Sequence, residues 1–246
     1  MKRISICLLS PFIFVSLANG ACIASVNKNK PRGFPGGQFN DCRLQEQGQP
    51  YCNPTKGQEN YMSRHHIFDK HAWIDVLNKG LNSPNVESDQ AEHNIDQMLK
   101  AEGAPQVVID NFNQDGVQCT RRTNSWLTWL PVNLALGPAP QNRAFDPANH
   151  FDSWALLSVP EAYQTLFTNI RYASDNQVIA DNLAKMPNDL KAPWPMKLGS
   201  NANWVRAKEQ GHSGQLAYCP KQVFQSFNQK SAGPDVCPDF AYTSIQ

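Results

Sequence analysis

The 246-residue sequence has no Cys-x-x-Cys pair, no His-Glu-x-x-His segment and, after its first twenty positions, no apolar run long enough to span a bilayer. The first absence argues against a zinc ribbon. The second leaves a zincin-type hydrolase, for example one acting on cell-wall material, without its motif. The third leaves the chain beyond its start without a membrane anchor. An excess of charge is missing too: 22 basic residues face 21 acidic ones, a formal net charge of +1. A tight, sequence-independent coat on nucleic acid is therefore not implied, although a local cationic groove is permitted. There is no internal repeat and no clean linker, so one domain with insertions is expected.

What is present begins with an export signal. Residues 1–20 carry a basic start (Lys2, Arg3), an apolar run and a small-residue exit at Ala18 and Gly20. That is the layout of a secretory signal peptide, with cleavage expected near Ala21. Loss of Lys2 and Arg3 leaves 20 basic against 21 acidic residues, a net charge of −1. The mature chain is expected to be secreted or periplasmic, where disulfides persist. Cys7 leaves with the signal, and Cys22, Cys42, Cys52, Cys119, Cys219 and Cys237 remain. Their even number is consistent with a disulfide framework whose pairing the sequence leaves open, with Cys42–Cys52 the favoured local pair. Lipidation of Cys22 is a rival, weakened by the poor lipobox around it. Residues 21–58, rich in Gly, Pro, Asn and Gln, form an irregular arm, and 59–246 form the functional domain with a helical C-terminal part.

Local patterns predict the elements. Tyr61 to Phe68 reads as a strand ending at the histidines. Asp69 to Gly80 reads as a helix capped by Asp69, with Trp73, Val76 and Leu77 on one face. Ser88 to Ala101 is a second helix. Gln106 to Asp110, Val117 to Arg122 and Ser125 to Leu130 are expected as strands. Helices are expected again from Pro160 to Arg171 and from Asp175 to Met186, the latter stopped by Pro187. A short helix is expected over Asn203 to Gln210.

Two segments carry chemistry. His65 and His66 stand side by side at the end of the first strand, and Asn133 and Asn142 lie nine positions apart across a Gly-Pro-x-Pro turn, with Arg143 next to Asn142. Either segment alone is weak. Phosphodiester hydrolysis, however, needs a base for water, a cation for phosphate charge and a scaffold that holds both. Imidazole and amide oxygen can bind a divalent ion while leaving positions open. A second imidazole, with an unperturbed pKa of ~6.5, can serve as base. Consecutive residues of a strand point opposite ways, so His65 and His66 can divide these tasks.

On these residues the chain resembles the HNH, or ββα-metal, endonuclease superfamily, which includes bacterial toxin nucleases. The resemblance covers only the two motif segments, about a fifth of the mature chain. It implies an α+β fold: a ββα-metal, HNH-like core with a large insertion and additional helices, disulfide-stabilised. It implies His65 and Asn142 as metal ligands, with Asp146 as a third candidate, His66 as general base and Asn133 as the brace of the motif loop. Arg64 and Arg143 would suit the scissile phosphate. The cofactor would be one divalent ion, magnesium foremost, with manganese, nickel or zinc as alternatives. The substrate would be DNA or RNA, and an immunity protein would be a fitting partner for a toxin.

Two features depart from the family pattern. The 66 residues between His66 and Asn133 exceed what the compact core needs, so a helix and a hairpin are expected to be inserted there. Pro140 and Pro147 limit the metal-bearing helix to little more than one turn. Asn149 and His150 are close enough to substitute as ligands, whereas His71, His93 and His212 lack such context. Arg121 and Arg122 read as a solvated strand end, and the six tryptophans as core residues rather than a base-stacking platform. A non-enzymatic exported binding or adhesion module is the alternative reading.

Overall fold

The computed structural model describes residues 20–31, 45–46, 49–50, 62–82, 85–138, 151–186, 204–211, 216–230 and 236–238. The chain is α+β, mostly helical with small sheets, and carries two disulfides among the described residues. After a two-residue hairpin of β1 (Gln45–Glu46) and β2 (Gln49–Pro50), strand β3 (Met62–His66) leads into the body. Its antiparallel partner is β4 (Leu134–Pro138), in a register that sets Met62 opposite Pro138 and His66 opposite Leu134.

Four helices lie between these paired strands. In α1 (Lys70–Leu81) the Asp69 carboxylate accepts from the Ala72 amide at 2.8 Å, satisfying one of the orphan donors of the first turn. Trp73, Leu77, Gly80 and Leu81 recur at helical spacing and are buried. Helix α2 (Val86–Ala101) is capped by Asn85 and buries Ala91, Ile95, Met98 and Leu99 on one face. Helices α3 (Gln106–Phe112) and α4 (Arg121–Thr128) complete the set.

These last two replace the expected strands. Val108, Ile109 and Phe112 are buried while Val107 is 57% exposed, which is a helical face. Thr123, Trp126, Leu127 and Leu130 recur at i, i+3, i+4 and i+7, and Thr120 caps the start of α4. β-branched residues favour strands only weakly, and packing of these faces against α1 and α2 overrides that preference. The insertion is therefore four helices rather than a helix and a hairpin.

Beyond β4, α5 (Ser153–Leu157), α6 (Glu161–Arg171) and α7 (Asn176–Ala184) continue the helical layer. Helix α7 packs on α1 and α2. It approaches so closely that a Cβ on Gly80 would stand 3.1 Å from Ile179 Cγ2. Buried Asn94 of α2 closes the end of α7, its amide donating to the Ala184 carbonyl at 2.8 Å. The expected helix near 203–210 is instead strand β5 (Trp204–Glu209), flanked by antiparallel β6 (Leu216–Pro220) and parallel β7 (Val236–Cys237), with α8 (Lys221–Lys230) between those two in sequence. Pairing with neighbouring strands, not local propensity, decides that segment.

The disulfide Cys219–Cys237 staples the small sheet, and Cys22–Cys119 fastens the N-terminal segment to the loop after α3. Because the Cys22 thiol is in a disulfide, the structure does not leave it available for lipidation. Cys42 and Cys52 lie outside the described residues. Next to Cys22, Ala24 exchanges two hydrogen bonds with the Asn78 side chain of α1, at 2.8 and 2.9 Å. Residues 21–29 thus form a strap over α1, α3 and α4.

Candidate active site

The site is built where β3 ends. The chain leaves His66 as Ile67-Phe68, and two distant segments clamp that dipeptide. On one side the Ile67 amide donates to the Asn133 carbonyl at 2.9 Å. The Asn133 side chain accepts from the Phe68 amide at 2.8 Å and donates to the Phe68 carbonyl at 2.9 Å. On the other side the Asp152 amide donates to the Ile67 carbonyl at 2.7 Å, and Phe68 bridges Phe151. The Phe68 ring packs among Trp73, Phe151 and Phe167, with centroids 4.8–6.5 Å away. A fully buried asparagine that satisfies both polar groups of one residue leaves that turn little freedom.

Side chains alternate along β3, so the two imidazoles occupy different surroundings. His65 is wholly buried. Its Nδ1 lies 3.2 Å from Asp152 Oδ2, while Asp152 Oδ1 accepts from the Ala155 amide at 2.8 Å as the N-cap of α5. The other edge of the His65 ring lies against β4: a Cβ on Gly137 would stand 2.8 Å from His65 Nε2 and 2.9 Å from Trp204 Cζ2. Glycine at 137 is what lets imidazole and indole approach that backbone together. Strand β5 contributes Trp204, whose ring centroid is 5.9 Å from that of His65.

His66 is partly buried, edge-on to Trp129 with centroids 4.9 Å apart, and the Lys70 ammonium sits 4.7 Å above the same indole. Burial first, and then the Lys70 charge, push its pKa down to about 3, against a hydrogen bond to the Thr128 backbone and the Asp69 charge. The ring is therefore neutral near pH 7. Its Nε2 is buried and has no hydrogen-bond partner among the described residues. In one of its two neutral tautomers Nε2 carries the lone pair. A neutral imidazole with such a lone pair can accept a proton or bind a metal.

No family model, no curated protein and no solved structure matches this chain.

Of the residues singled out from the sequence, His65, His66 and Asn133 are brought together. Arg64 lies on β3 opposite Leu136, and only its backbone is described. Asn142, Arg143 and Asp146 fall outside the described residues, as do Asn149 and His150. His71 is exposed on α1. Sequence reasoning missed Asp152. An Asp just ahead of Ser-Trp-Ala-Leu is legible as a helix cap, but only the fold reveals that its second oxygen meets His65.

Among the described residues no group of three or more His, Cys, Asp or Glu side chains forms a metal cage. The His65–Asp152 pair nevertheless has the right donors for a divalent ion. One imidazole nitrogen and one carboxylate oxygen 3.2 Å apart are spaced as two neighbouring ligands of one ion would be, with bonds of roughly 2.0–2.2 Å.

Proposed function

We propose that this chain is a metal-dependent nuclease of HNH type, hydrolysing phosphodiester bonds of DNA or RNA. The observation that carries this reading is the antiparallel pairing of β3 with β4, with α5 the next described element. It gathers a strand-end His-His pair, a loop-bracing asparagine and a helix-cap carboxylate around one turn. The resemblance would place a metal-bearing helix at Asn142 to Asp146, outside the described residues, so the paired strands and the His65–Asp152 contact support the reading without that helix.

His65 and Asp152 would hold the ion, with Asn142 and Asp146 as the further ligands implied by the sequence. Such an ion supplies charge neutralisation at a non-bridging phosphate oxygen. In the tautomer with its lone pair on Nε2, His66 would take a proton from water as the water oxygen bonds to phosphorus, and the bond to the 3′ oxygen breaks in line, that oxygen taking up a proton from solvent. Burial is the main cause of its low proton affinity, and anionic phosphate opposing Lys70 would relieve the smaller, charge-based part. Asn133 holds the turn that carries both histidines, which limits loss of alignment at the reacting atoms. Arg64 and Arg143 would bind phosphate oxygens.

The two disulfides suit an oxidising compartment, and no helix among the described residues is long and apolar enough to cross a membrane. An exported toxin nuclease, neutralised in its producer by an immunity protein, accords with these features. The deciding experiment is degradation of plasmid DNA and of RNA by the purified protein, with and without EDTA. Loss of cleavage in EDTA and in His66→Ala is expected. Equal cutting by wild type and His66→Ala would sink the reading.

One observation favours a non-enzymatic binding module instead. A buried His65–Asp152 hydrogen bond is a complete structural interaction in its own right. Stoichiometric metal binding without any phosphodiesterase activity would support that alternative.

A further inference from the structure

Far from the histidine pair in sequence, α2 presents a second group of polar side chains. Asp89, Glu92, His93 and Asp96, with Asn113 beyond α3, line a surface cavity of ≈ 280 Å³. Asp115, on the turn after α3, adds a further negative charge that acts on Glu92. Asp96 is answered by the Lys100 ammonium and by the Asn113 amide, the latter at 3.2 Å. Glu92 has no such answer. It is 9% exposed, faces the cavity, and makes no hydrogen bond or ion pair among the described residues. A buried carboxylate ringed by three others is costly to ionise unless a cation meets it.

The chain holds a source of such a cation beside Asp115. A Cβ built on Gly20 would overlap Asp115 Oδ1 and stand 3.0 Å from its Cγ, so the backbone at residue 20 rests on this carboxylate. The Ala21 nitrogen is two bonds from the Gly20 Cα, which puts it within roughly 7 Å of the Asp115 carboxyl carbon. Ala21 itself is fully buried in the core. The next two residues are pinned: Cys22 by its disulfide to Cys119 and by its amide to the Phe112 carbonyl at 2.8 Å, and Ile23 by its amide to the Val117 carbonyl at 2.8 Å. In the uncut chain the Ala21 nitrogen is a neutral amide. Hydrolysis of the Gly20–Ala21 bond by a signal peptidase consumes one water and yields a Gly20 carboxylate, which departs, and an Ala21 amine, which takes up a proton. The small residues Ala18 and Gly20 mark that bond as the cleavage point.

We propose that this acidic cavity is the seat of the chain's own mature amino terminus, the Ala21 ammonium pairing with Asp115 and Glu92. Cleavage then locks the strap of residues 21–29 onto α1, α3 and α4. The strap is already aligned by hydrogen bonds, so the ammonium needs little further ordering to reach its partners. The fold would be complete only after export, because only then is the positive charge made.

The test compares three forms of the chain: one beginning at Ala21 with a free amine, the same form Nα-acetylated, and one that retains Gly20 with its amine acetylated. Melting temperatures are measured for each, with an NMR titration of the α-amino group in the free Ala21 form, and again in Asp115→Asn and Glu92→Gln. The free Ala21 form is expected to melt roughly 3–6 °C above the other two, with its α-amino pKa raised above the usual ~7.7–8.0. Both differences should shrink in Asp115→Asn and Glu92→Gln. Equal melting of all three wild-type forms with an ordinary α-amino titration would overturn the proposal. So would stabilisation by calcium chloride that is independent of the terminus, which would assign the cavity to a metal ion. None of these readouts involves nuclease activity, so the outcome stands apart from the functional reading.

Discussion

His65 Nδ1 and Asp152 Oδ2 lie 3.2 Å apart although 87 positions separate them, and both side chains are buried. Asp152 also caps α5 through its other oxygen. Asp152→Asn keeps the cap and the size of the side chain but loses the charge. It should fold with little loss, while manganese affinity measured by calorimetry falls about 10–100-fold. Asp152→Ala should cost about 2–3 kcal/mol in urea unfolding, from the lost cap and an unpaired buried imidazole. Unchanged metal affinity in Asp152→Asn would remove the carboxylate from the proposed metal site.

Gly137 sets how closely β4 meets His65 and Trp204. Gly137→Ala would force a methyl group against two rings and the backbone between them. A destabilisation of about 1–3 kcal/mol is expected. Cleavage should fall by more than the folded fraction explains, because His65 must move. Full activity per folded molecule would show that the approach is not needed.

Asn133 answers both polar groups of Phe68. Asn133→Ala should cost about 2–4 kcal/mol, since a buried amide and a buried carbonyl lose their partners together. Asn133→Asp keeps the acceptor for the Phe68 amide but sets a buried carboxylate against the Phe68 carbonyl, and should cost at least as much. Chemical denaturation of the three proteins decides this, and an Asn133→Ala within 0.5 kcal/mol of wild type (about the ordinary surface value) would refute the bracing role.

Glu92 provides a pH signature. Burial, and then Asp89, Asp115 and Asp96, raise its pKa from 4.5 to about 7. A carboxyl with a raised folded-state pKa stabilises the fold below its unfolded value, and that contribution is lost as pH climbs from 4.5 through about 7. In the Nα-acetylated chain, stability should therefore decline across this window by up to about 2–3 kcal/mol. Glu92→Gln should flatten the decline. A wild-type profile as flat as that of the variant would show that Glu92 is not held this way.

The Cys22–Cys119 disulfide closes a span of 97 residues. Its replacement by two serines should cost about 3–5 kcal/mol, as expected for a cross-link over a long loop. Hydrogen-exchange protection should fall first in the strap and in the amides of Cys119 and Ile23. A loss below 1 kcal/mol (far under the ~3–5 expected) would mean that the strap's hydrogen bonds suffice.

Local sequence determined the elements whose ends carry their own chemistry. Asp69 and Asp175 cap helices as their short carboxylates allow, Trp73 and Leu77 recur at helical spacing, and the strand before α1 ends at the histidines. It also separated His65 from His66, because adjacent strand residues face opposite ways. Tertiary structure decided the rest. Val108 to Phe112 and Trp126 to Leu130 suit strand or helix by composition, and only packing against α1 and α2 chose helix. Trp204 to Glu209 became a strand because β6 and β7 lie beside it. Asp152 met His65, and Gly20 met Asp115, because the inserted helices fold back on themselves. Periodicity and capping act over a few residues, whereas contacts across 87 or 95 positions depend on how the whole core closes.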